Sequence, residues 1–191
     1  MEDFVKFLFS KTYNNNFDYL KSTKYINMAT EMTIGDVKYH YKEKTSDEII
    51  DNIKNNGNEL PIFLYRLGNL VYHQIDNENV WKNIHWIMRE CCSCEIFFSA
   101  NIDTGFYIVH GVGTVLGPRH KIGKGFKIYQ GCTVGQRNSA KDRCTIGDNV
   151  TLYSNSAILG SIKIGNNVEI GANSLVLRDI PLDNKVYGVV N

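Results

Sequence analysis

The sequence predicts an α+β fold in which an N-terminal α-helical region precedes a left-handed parallel β-helix of about four to five coils with one protruding loop. Two periodicities support this prediction. From residue 95 onwards an aliphatic residue recurs every six positions, as at Ile96, Ile102 and Ile108, and in several repeats glycine follows it directly. Before residue 92 the apolar residues recur at helical spacing. We therefore divide the chain into a helical region over residues 1–92 and a β-helix over residues 93–191.

The helical region contains segments with recognisable start and stop signals. Residues 46–57 begin with Ser46 as an N-cap candidate, carry acidic residues in the first turn and end at Gly57. Residues 61–73 open with Pro61, which suits the first helical position, and their apolar residues nearly encircle the helix, which indicates burial. Residues 80–88 form a further apolar, helical stretch. The first 45 residues are interrupted by three asparagines at residues 14–16, and we expect short helices there.

Each hexapeptide is expected to form a short strand followed by a turn. The aliphatic residue points inward and stacks on its equivalents in neighbouring coils, at the usual inter-strand spacing of about 4.8 Å. Gly, Asn and Asp supply the turns because they tolerate positive φ at low cost. Three hexapeptides make one triangular coil, and several coils are needed because one coil cannot bury its apolar face. The alternative, a β-sandwich, does not hold a six-residue phase for so long.

Composition and charge exclude several classes of protein. The formal net charge of +1 argues against a dedicated nucleic-acid binder. No stretch approaches the roughly 20 apolar residues of a membrane span, and the N-terminus lacks the features of a secretory signal. We therefore expect a cytoplasmic protein without a membrane span. The five cysteines are expected to be reduced, and Cys91 and Cys94, although spaced as C-x-x-C, lack the partners of a zinc site.

Two interruptions of the six-residue period point to the functional face. The spacing from Ile108 to Leu116 is eight, so two residues are inserted around His110. The spacing from Val134 to Ile146 is twelve, and the polar stretch over residues 136–143 stands in place of the middle hexapeptide and is expected to protrude as a loop. Interruptions of a solenoid usually build its functional surface. We therefore expect the site at these two breaks.

The residues around these breaks resemble the serine acetyltransferase branch of hexapeptide-repeat acyltransferases. The resemblance rests on residues 105–118 (GFYIVHGVGTVLGP), 128–135 (IYQGCTVG), 142–143 (DR), 157–160 (AILG) and 170–177 (IGANSLVL). It extends from Glu95 to about Gly188 and is looser in the helical region. It implies acetyl-CoA as the acyl donor, a homotrimer or a dimer of trimers, and active sites between neighbouring β-helices.

The resemblance also implies roles for individual residues. His110 falls on the position of the general base, and Glu95, fifteen residues earlier, falls on that of the carboxylate that orients it. Asp103 is not part of the resemblance but is another carboxylate nearby, and it is the substitute for Glu95. A hydroxyl must lose its proton as it attacks a thioester carbonyl, and histidine paired with a carboxylate suits this step. The implied substrate-binding residues are Asp142 and Arg143. The implied cofactor-binding set comprises the oxyanion-hole region at Gly135 and Gln136 and two small residues along the pantetheine arm, Ser154 and Ala172.

Two departures from the family pattern bear on the acceptor. Serine acetyltransferases carry Asp immediately before the catalytic His, where this chain has Val109, and a second His after the loop's Asp-Arg pair, where it has Cys144. Without that Asp an ammonium group is held less well, and the pattern is more similar to relatives associated with surface-polysaccharide biosynthesis. We therefore predict acetyl transfer to a hydroxyl of a sugar or polysaccharide precursor. The alternatives are a serine O-acetyltransferase of cysteine biosynthesis and a non-catalytic β-helix scaffold or binding module.

A metal-dependent hydratase built on the same repeat is the last alternative. Such an enzyme needs three histidines that converge on zinc. Only His110 and His120 lie in the predicted β-helix, and His120, which follows a Gly-Pro-Arg turn, is expected at the surface. The sequence therefore predicts no metal site.

Overall fold

Over residues 1–20 and 24–191 the chain forms five α-helices followed by a parallel β-solenoid of about five turns, which confirms the predicted left-handed β-helix. The computed structural model describes residues 1–20 and 24–191, so residues 21–23 of the predicted helical region lie outside the described residues. The helices are α1 (Glu2–Phe9), α2 (Lys24–His40), α3 (Ser46–Lys54), α4 (Glu59–Gln74) and α5 (Glu78–Cys92), with a 3-10 helix over Phe17–Leu20. The asparagine run at residues 14–16 separates α1 from the 3-10 helix, as predicted. Helix α2, with 17 residues, is longer than expected.

The N-cap of helix α3 and the left-handed residue after its C-terminus each lie one residue before the predicted position. Thr45, not Ser46, is the N-cap: its hydroxyl accepts a hydrogen bond from the Glu48 N–H (3.2 Å), and the Glu48 carboxylate accepts one from the Thr45 N–H (2.7 Å). This reciprocal pair is a capping box. At the other end Asn56 takes the left-handed conformation (φ 57°), and Gly57 follows it. Asn substitutes for Gly there because its short side chain tolerates positive φ.

Helix α4 is buried along most of its length, as its apolar pattern predicted. It begins at Glu59, two residues before Pro61, so the proline lies within the first turn, where a backbone N–H has no helical acceptor. Gly68 lies in the middle of this helix. A Cβ atom there would stand 2.2 Å from the ring of Phe98, so the glycine allows the first coil of the solenoid to pack against the helix.

The solenoid has three parallel sheets, which the chain visits in the order A, B, C. Sheet A contains β1 (Glu95–Ile96), β4 (Val115–Leu116), β7 (Thr133–Gly135), β10 (Ala157–Leu159), β13 (Leu175–Val176) and β15 (Val189–Val190). Sheet B contains β2 (Asn101–Ile102), β5 (Lys121–Ile122), β8 (Thr145–Ile146) and β11 (Lys163–Ile164). Sheet C contains β3 (Tyr107–Val109), β6 (Lys127–Tyr129), β9 (Thr151–Leu152), β12 (Glu169–Ile170) and β14 (Lys185–Val186).

The aliphatic residues of the six-residue period form three stacked columns inside the solenoid. In sheet A, for example, Ile96 pairs with Leu116, Leu116 with Val134 and Val134 with Ile158, and all four side chains are fully buried. Asparagines occupy left-handed positions at several corners, with φ of 54° at Asn149 and similar values at its equivalents. The predicted division between inward aliphatic residues and turn-forming Asn is therefore confirmed.

A buried ion pair joins the helical region to the first coil. The guanidinium of Arg66 in α4 donates two hydrogen bonds to the carboxylate of Asp36 in α2 (2.7 and 2.9 Å) and one each to the carbonyls of Ile102 and Asp103 (2.7 Å each). Asp36 also accepts a hydrogen bond from the Gly105 N–H (2.8 Å). Burial raises the pKa of Asp36, and Arg66 opposes that rise.

Both breaks in the repeat are corner insertions. The two extra residues around His110 lie at the corner between β3 and β4, as predicted. Residues 136–143 lie at the corner between β7 and β8, and β8 still pairs with β5. The loop is thus an addition at a corner, and the expectation that it stands in place of a hexapeptide strand is wrong.

His120 lies inside the solenoid, so the expectation of a surface residue is wrong. Its side chain is fully buried, and Nδ1 accepts a hydrogen bond from the Cys144 N–H at 2.9 Å. The ring fits because Gly117 has no side chain: a Cβ atom there would stand 3.0 Å from Nε2. Burial lowers the pKa of His120, which keeps the imidazole neutral and able to accept this bond.

Candidate functional site

His110 is exposed at the first corner insertion, immediately after β3. Its backbone is left-handed (φ 51°), and its N–H donates a hydrogen bond to Oδ1 of Asn58 at the start of α4 (3.0 Å). Three residues later the Gly113 N–H donates to the carbonyl of Ser93, just after α5 (2.8 Å). We call residues 110–113 the His110 corner. The residue before α4 and the residue after α5 therefore hold this corner at its two ends.

A cavity of about 430 Å³ opens beside the His110 corner. Its walls come from the segment before α4, from the end of α5 and from the corner itself, and they include Asn58, Cys92, Ser93, His110 and Val112. No carboxylate side chain lines it. The cavity therefore offers a histidine, a side-chain amide and thiols, with no acidic group that would pair with an ammonium ion.

Glu95 lies at the start of β1 and turns towards the helical region. Its Oε1 is 3.4 Å from Nε2 of His85 in α5, although the geometry falls short of a hydrogen bond. Burial lowers the pKa of His85, and the charge of Glu95 opposes that change. Within residues 1–20 and 24–191, no hydrogen bond or ion pair joins Glu95 to His110. Glu95 nevertheless lines a groove with Gly113, the last residue of the His110 corner, whereas His110 itself lines the cavity described above.

Asp103, the substitute carboxylate, lies at the end of β2. Its Oδ1 accepts a hydrogen bond from the Thr104 N–H (2.6 Å), and it lines a groove on the sheet B side with Arg66 and Lys121. This groove is separate from the cavity beside His110. The structure therefore brings Glu95, but not Asp103, to the His110 corner.

The carboxylate of Asp142 holds the loop over residues 136–143. It accepts hydrogen bonds from the N–H groups of Arg137 (3.0 Å) and Asn138 (2.9 Å) and from the hydroxyl of Ser161 (3.1 Å). These bonds lower the pKa of Asp142 to about 2. Asp142 is thus engaged in shaping the loop. Arg143, the other predicted substrate-binding residue, uses its N–H to donate to the Ser161 hydroxyl (3.3 Å).

The predicted cofactor-binding residues divide between two corners. Ser154 and Ala172 lie at the corner between sheets C and A, each two positions after an inward-facing residue of sheet C, in the same column as His110. Gly135 ends β7, and Gln136 begins the loop at the corner between sheets A and B, where its Nε2 donates to the Ala140 carbonyl (3.3 Å). The predicted residues therefore lie at opposite edges of sheet A.

Two contacts of the site were not predicted because they come from the helical region. Asn58 holds the backbone of His110, and His85 contacts Glu95. The resemblance to known proteins was loose in this region, so no motif pointed to either residue. Over the described ranges no three His, Cys, Asp or Glu side chains converge as a metal site would require, and no described helix is long and apolar enough to cross a bilayer.

Comparisons with known proteins agree with this architecture. Residues 143–178 match the family described as bacterial transferase hexapeptide (six repeats). A serine acetyltransferase of Staphylococcus aureus (strain Mu50 / ATCC 700699) is 37% identical over 127 residues, which are 64% of this chain and 60% of that protein. The chain thus spans about three fifths of the length of that relative.

Solved structures show the same fold. The serine acetyltransferase of Neisseria gonorrhoeae in complex with serine superimposes with a TM-score of 0.76 at 24% identity, covering 97% of this chain and 79% of that one. A serine acetyltransferase in complex with CoA gives a TM-score of 0.70 at 22% identity, covering 88% of this chain and 69% of that one. By fold and by sequence, this chain is similar to hexapeptide-repeat acyltransferases of the serine acetyltransferase type.

Proposed function

We propose that the protein transfers an acetyl group from acetyl-CoA to a hydroxyl group, with His110 as the general base. The observation that carries this proposal is the placement of His110: exposed, at the corner where the repeat is interrupted, and beside an open cavity. The similarity to serine acetyltransferases supports the same reaction class. A scaffold without catalysis has no need of an exposed histidine fixed in a left-handed turn.

The proposed reaction is a direct transfer in a ternary complex. The His110 imidazole takes the hydroxyl proton as the oxygen attacks the thioester carbonyl, and the resulting tetrahedral intermediate carries an oxyanion. Backbone N–H groups near Gly135 and Gln136 would stabilise this charge. The intermediate collapses by breaking the C–S bond, and the imidazolium returns its proton to the CoA thiolate. The products are an acetyl ester and CoA, and no covalent enzyme intermediate is required.

Glu95 is proposed to orient His110 when the substrates are bound. A carboxylate that accepts a hydrogen bond from one ring nitrogen fixes the tautomer and stabilises the imidazolium. Glu95 flanks the His110 corner, and its contact with His85 is long enough, at 3.4 Å, to be exchanged at little cost. Exchanging Glu95 for Gln should lower kcat. The same type of change at Asp103, to Asn, serves as the matched control and should leave kcat unchanged, because Asp103 lies in a separate groove.

We propose that the complete site forms between protomers of a homotrimer. A dimer of trimers is the alternative assembly. His110 and Arg143 lie at opposite edges of sheet A, so one copy would supply the base and its neighbour the loop. Mixing inactive His110→Asn and Arg143→Ala chains tests this. In equally mixed trimers about a quarter of the sites combine two intact halves, so about a quarter of the activity should return. No recovery in trimers that demonstrably exchange chains would contradict a shared site.

L-serine is the first candidate acceptor, because the similar proteins are named serine acetyltransferases. This was the alternative in the sequence analysis, and the link to surface-polysaccharide biosynthesis has no support among the similar proteins. A neutral sugar hydroxyl remains the second candidate for one specific reason. Val109 replaces the carboxylate before the base, and no carboxylate lines the cavity beside His110.

CoA release with L-serine and with a panel of sugars decides between the two acceptors. Turnover of serine alone supports the first, and turnover of a sugar alone supports the second. His110→Asn should abolish either activity while the thermal unfolding profile stays unchanged. Undiminished transfer by this variant would overturn the mechanism. Absence of transfer to every acceptor, with acetyl-CoA still bound, would favour the binding-module alternative. The predicted cytoplasmic location stays a prediction and fits the use of acetyl-CoA.

A further inference from the structure

A second concave site lies on the other edge of sheet A from His110. It is bounded by the end of α4, by α5 and by the first two corners that follow sheet A strands. We call it the aromatic pocket. It has a volume of about 250 Å³, and its principal walls are Tyr72, Trp81, His85, Phe97, Phe98 and Arg119.

The rings of the aromatic pocket hold one another in place. Tyr72 packs edge-on against Trp81, with ring centroids 5.7 Å apart. About one turn further along α5 from Trp81, the His85 ring lies 5.3 Å from Phe97 and 5.6 Å from Phe98. Aromatic faces carry partial negative charge, which suits the weakly positive C–H faces of a saturated ring such as a pyranose. Rigid rings also lose little conformational entropy when a ligand binds.

The polar groups of the aromatic pocket are hydrogen-bond donors rather than anions. Arg119 stands at the rim with an exposed side chain, and one of its N–H groups donates to the Ala140 carbonyl in the loop over residues 136–143 (2.7 Å). In the described part of the chain no carboxylate lies within ion-pair distance of this guanidinium. No Asp or Glu lines the pocket. A planar guanidinium with free donors is suited to binding a carboxylate.

The size of the aromatic pocket limits its ligand. At about 250 Å³ it lies below the roughly 300 Å³ at which pockets for drug-sized ligands begin. A single six-membered ring fits within this volume, whereas a whole nucleotide or CoA would extend beyond it. Because apolar ring faces, free donors and a small volume coincide, we propose that the aromatic pocket binds one sugar ring that carries a carboxylate, that is, a hexuronate. Within one chain this site lies on the opposite edge of sheet A from the His110 corner, on the edge that carries the loop over residues 136–143. Its test measures binding and does not depend on the acetyl-transfer reaction.

Intrinsic fluorescence offers a direct test, because the chain has two tryptophans on different sides of α5. Trp81 lines the aromatic pocket, whereas Trp86 lines a separate groove with Lys11 and Asn83. The full chain is titrated with D-glucuronate, with D-glucose as the neutral ring and with benzoate as a planar acid. In Trp86→Phe, D-glucuronate should change the remaining emission in a saturable way. In the matched Trp81→Phe variant the emission should not change.

Replacement of Arg119 tests whether its guanidinium binds the carboxylate of D-glucuronate. Arg119→Gln should weaken D-glucuronate binding by about tenfold or more, because a hydrogen bond to a charged group is lost. Arg119→Lys should retain more of the affinity than Arg119→Gln. Thermal unfolding, which should be unchanged because the side chain is exposed, checks the fold of both variants. Equal binding of D-glucose would overturn the role of the carboxylate, and binding of benzoate in preference to D-glucuronate would overturn the sugar ring. No saturable signal with D-glucuronate up to about 20 mM would overturn the site itself.

Discussion

Removing one partner of the ion pair between Arg66 and Asp36 should strongly destabilise the docking of the helical region on the solenoid. Both side chains are almost fully buried, with exposures of 4% and 1%. Arg66→Met keeps a side chain of similar length but removes four hydrogen bonds, two of them to Asp36. The Asp36 carboxylate is then left without a cation in a buried environment, and two backbone carbonyls lose their donors.

The expected cost follows from this geometry. Removing one partner of a buried pair typically costs about 3–5 kcal/mol, because the other charge stays buried and uncompensated. This is a large part of the roughly 5–15 kcal/mol by which native domains are stable. Replacing both partners, as in Asp36→Asn with Arg66→Met, removes the stranded charge and should cost less than the sum of the two single changes. The side-chain amide oxygen introduced at position 36 would still accept the hydrogen bond from the Gly105 N–H.

Chemical denaturation at one fixed protein concentration gives the free energy of unfolding of four proteins: the unchanged chain, Asp36→Asn, Arg66→Met and the double variant. The exposed i,i+4 pair of Glu78 and Lys82 is the matched control, and Lys82→Met should cost no more than about 0.5 kcal/mol. A coupling energy of at least about 1 kcal/mol between positions 36 and 66 is expected. Additive costs, or a loss below about 1 kcal/mol for Arg66→Met, would refute the reasoning that a stranded buried charge dominates.

Three further predictions concern single residues. Gly68→Ala should destabilise the protein by about 1–3 kcal/mol through its clash with Phe98. Gly35→Ala in α2, where nothing lies within 4 Å, should instead stabilise it by about 0.5–1 kcal/mol. Denaturation curves of the two variants should therefore show changes of opposite sign in the free energy of unfolding. Asp142, with its pKa lowered to about 2, should stabilise its loop above the ordinary carboxyl pKa of 3.8 and lose that effect as pH falls through 2, which an NMR titration of its carboxyl carbon would show. Because the pKa of His120 is lowered from 6.5, its contribution to stability is present above that pH and is lost as pH falls below it. The free energy of unfolding should therefore fall less between about pH 7.5 and 5.5 in His120→Gln than in the unchanged protein. An equal fall in the two proteins would contradict this reasoning.

The solenoid was predictable because its signal repeats. Every coil places its inward residue in the same environment, so the period survives in sequence from Ile96 to Val176. The helix ends were less predictable, since local signals compete there. Thr45 and Ser46 are equally good caps by type, and the choice depends on which residue stands three positions before Glu48. The start of α4 before Pro61 likewise depends on packing and not on the proline.

The candidate site was predictable only where it departs from the repeat. His110 and the loop ending at Arg143 stand out because they interrupt a regular period. His85, the residue that contacts Glu95, does not stand out in the sequence, because it belongs to a helix whose placement depends on contacts between distant parts of the chain. His120 was misplaced for a related reason. Its burial depends on the missing side chain of Gly117, which no local pattern connects to it.

The backbone conformation of His110 depends on residues that flank the helices as well as on the β-helix. A left-handed backbone at a residue other than glycine costs about 1–2 kcal/mol. The His110 corner has two left-handed residues, His110 (φ 51°) and Gly113 (φ 74°), where the corner of the next coil has Gly131 alone (φ 68°). Thr114 at the end of this corner is fully buried, as Cys132 is in the next coil, whereas the N–H groups of His110 and Gly113 are bonded by residues outside the repeat. Asn58 accepts the His110 N–H, and the Ser93 carbonyl accepts the Gly113 N–H. Asn58 directly precedes α4 and Ser93 directly follows α5, and Arg66 of α4 bonds the first coil through the Ile102 carbonyl. The geometry of the proposed base therefore depends on the docking of the helices as much as on the repeat.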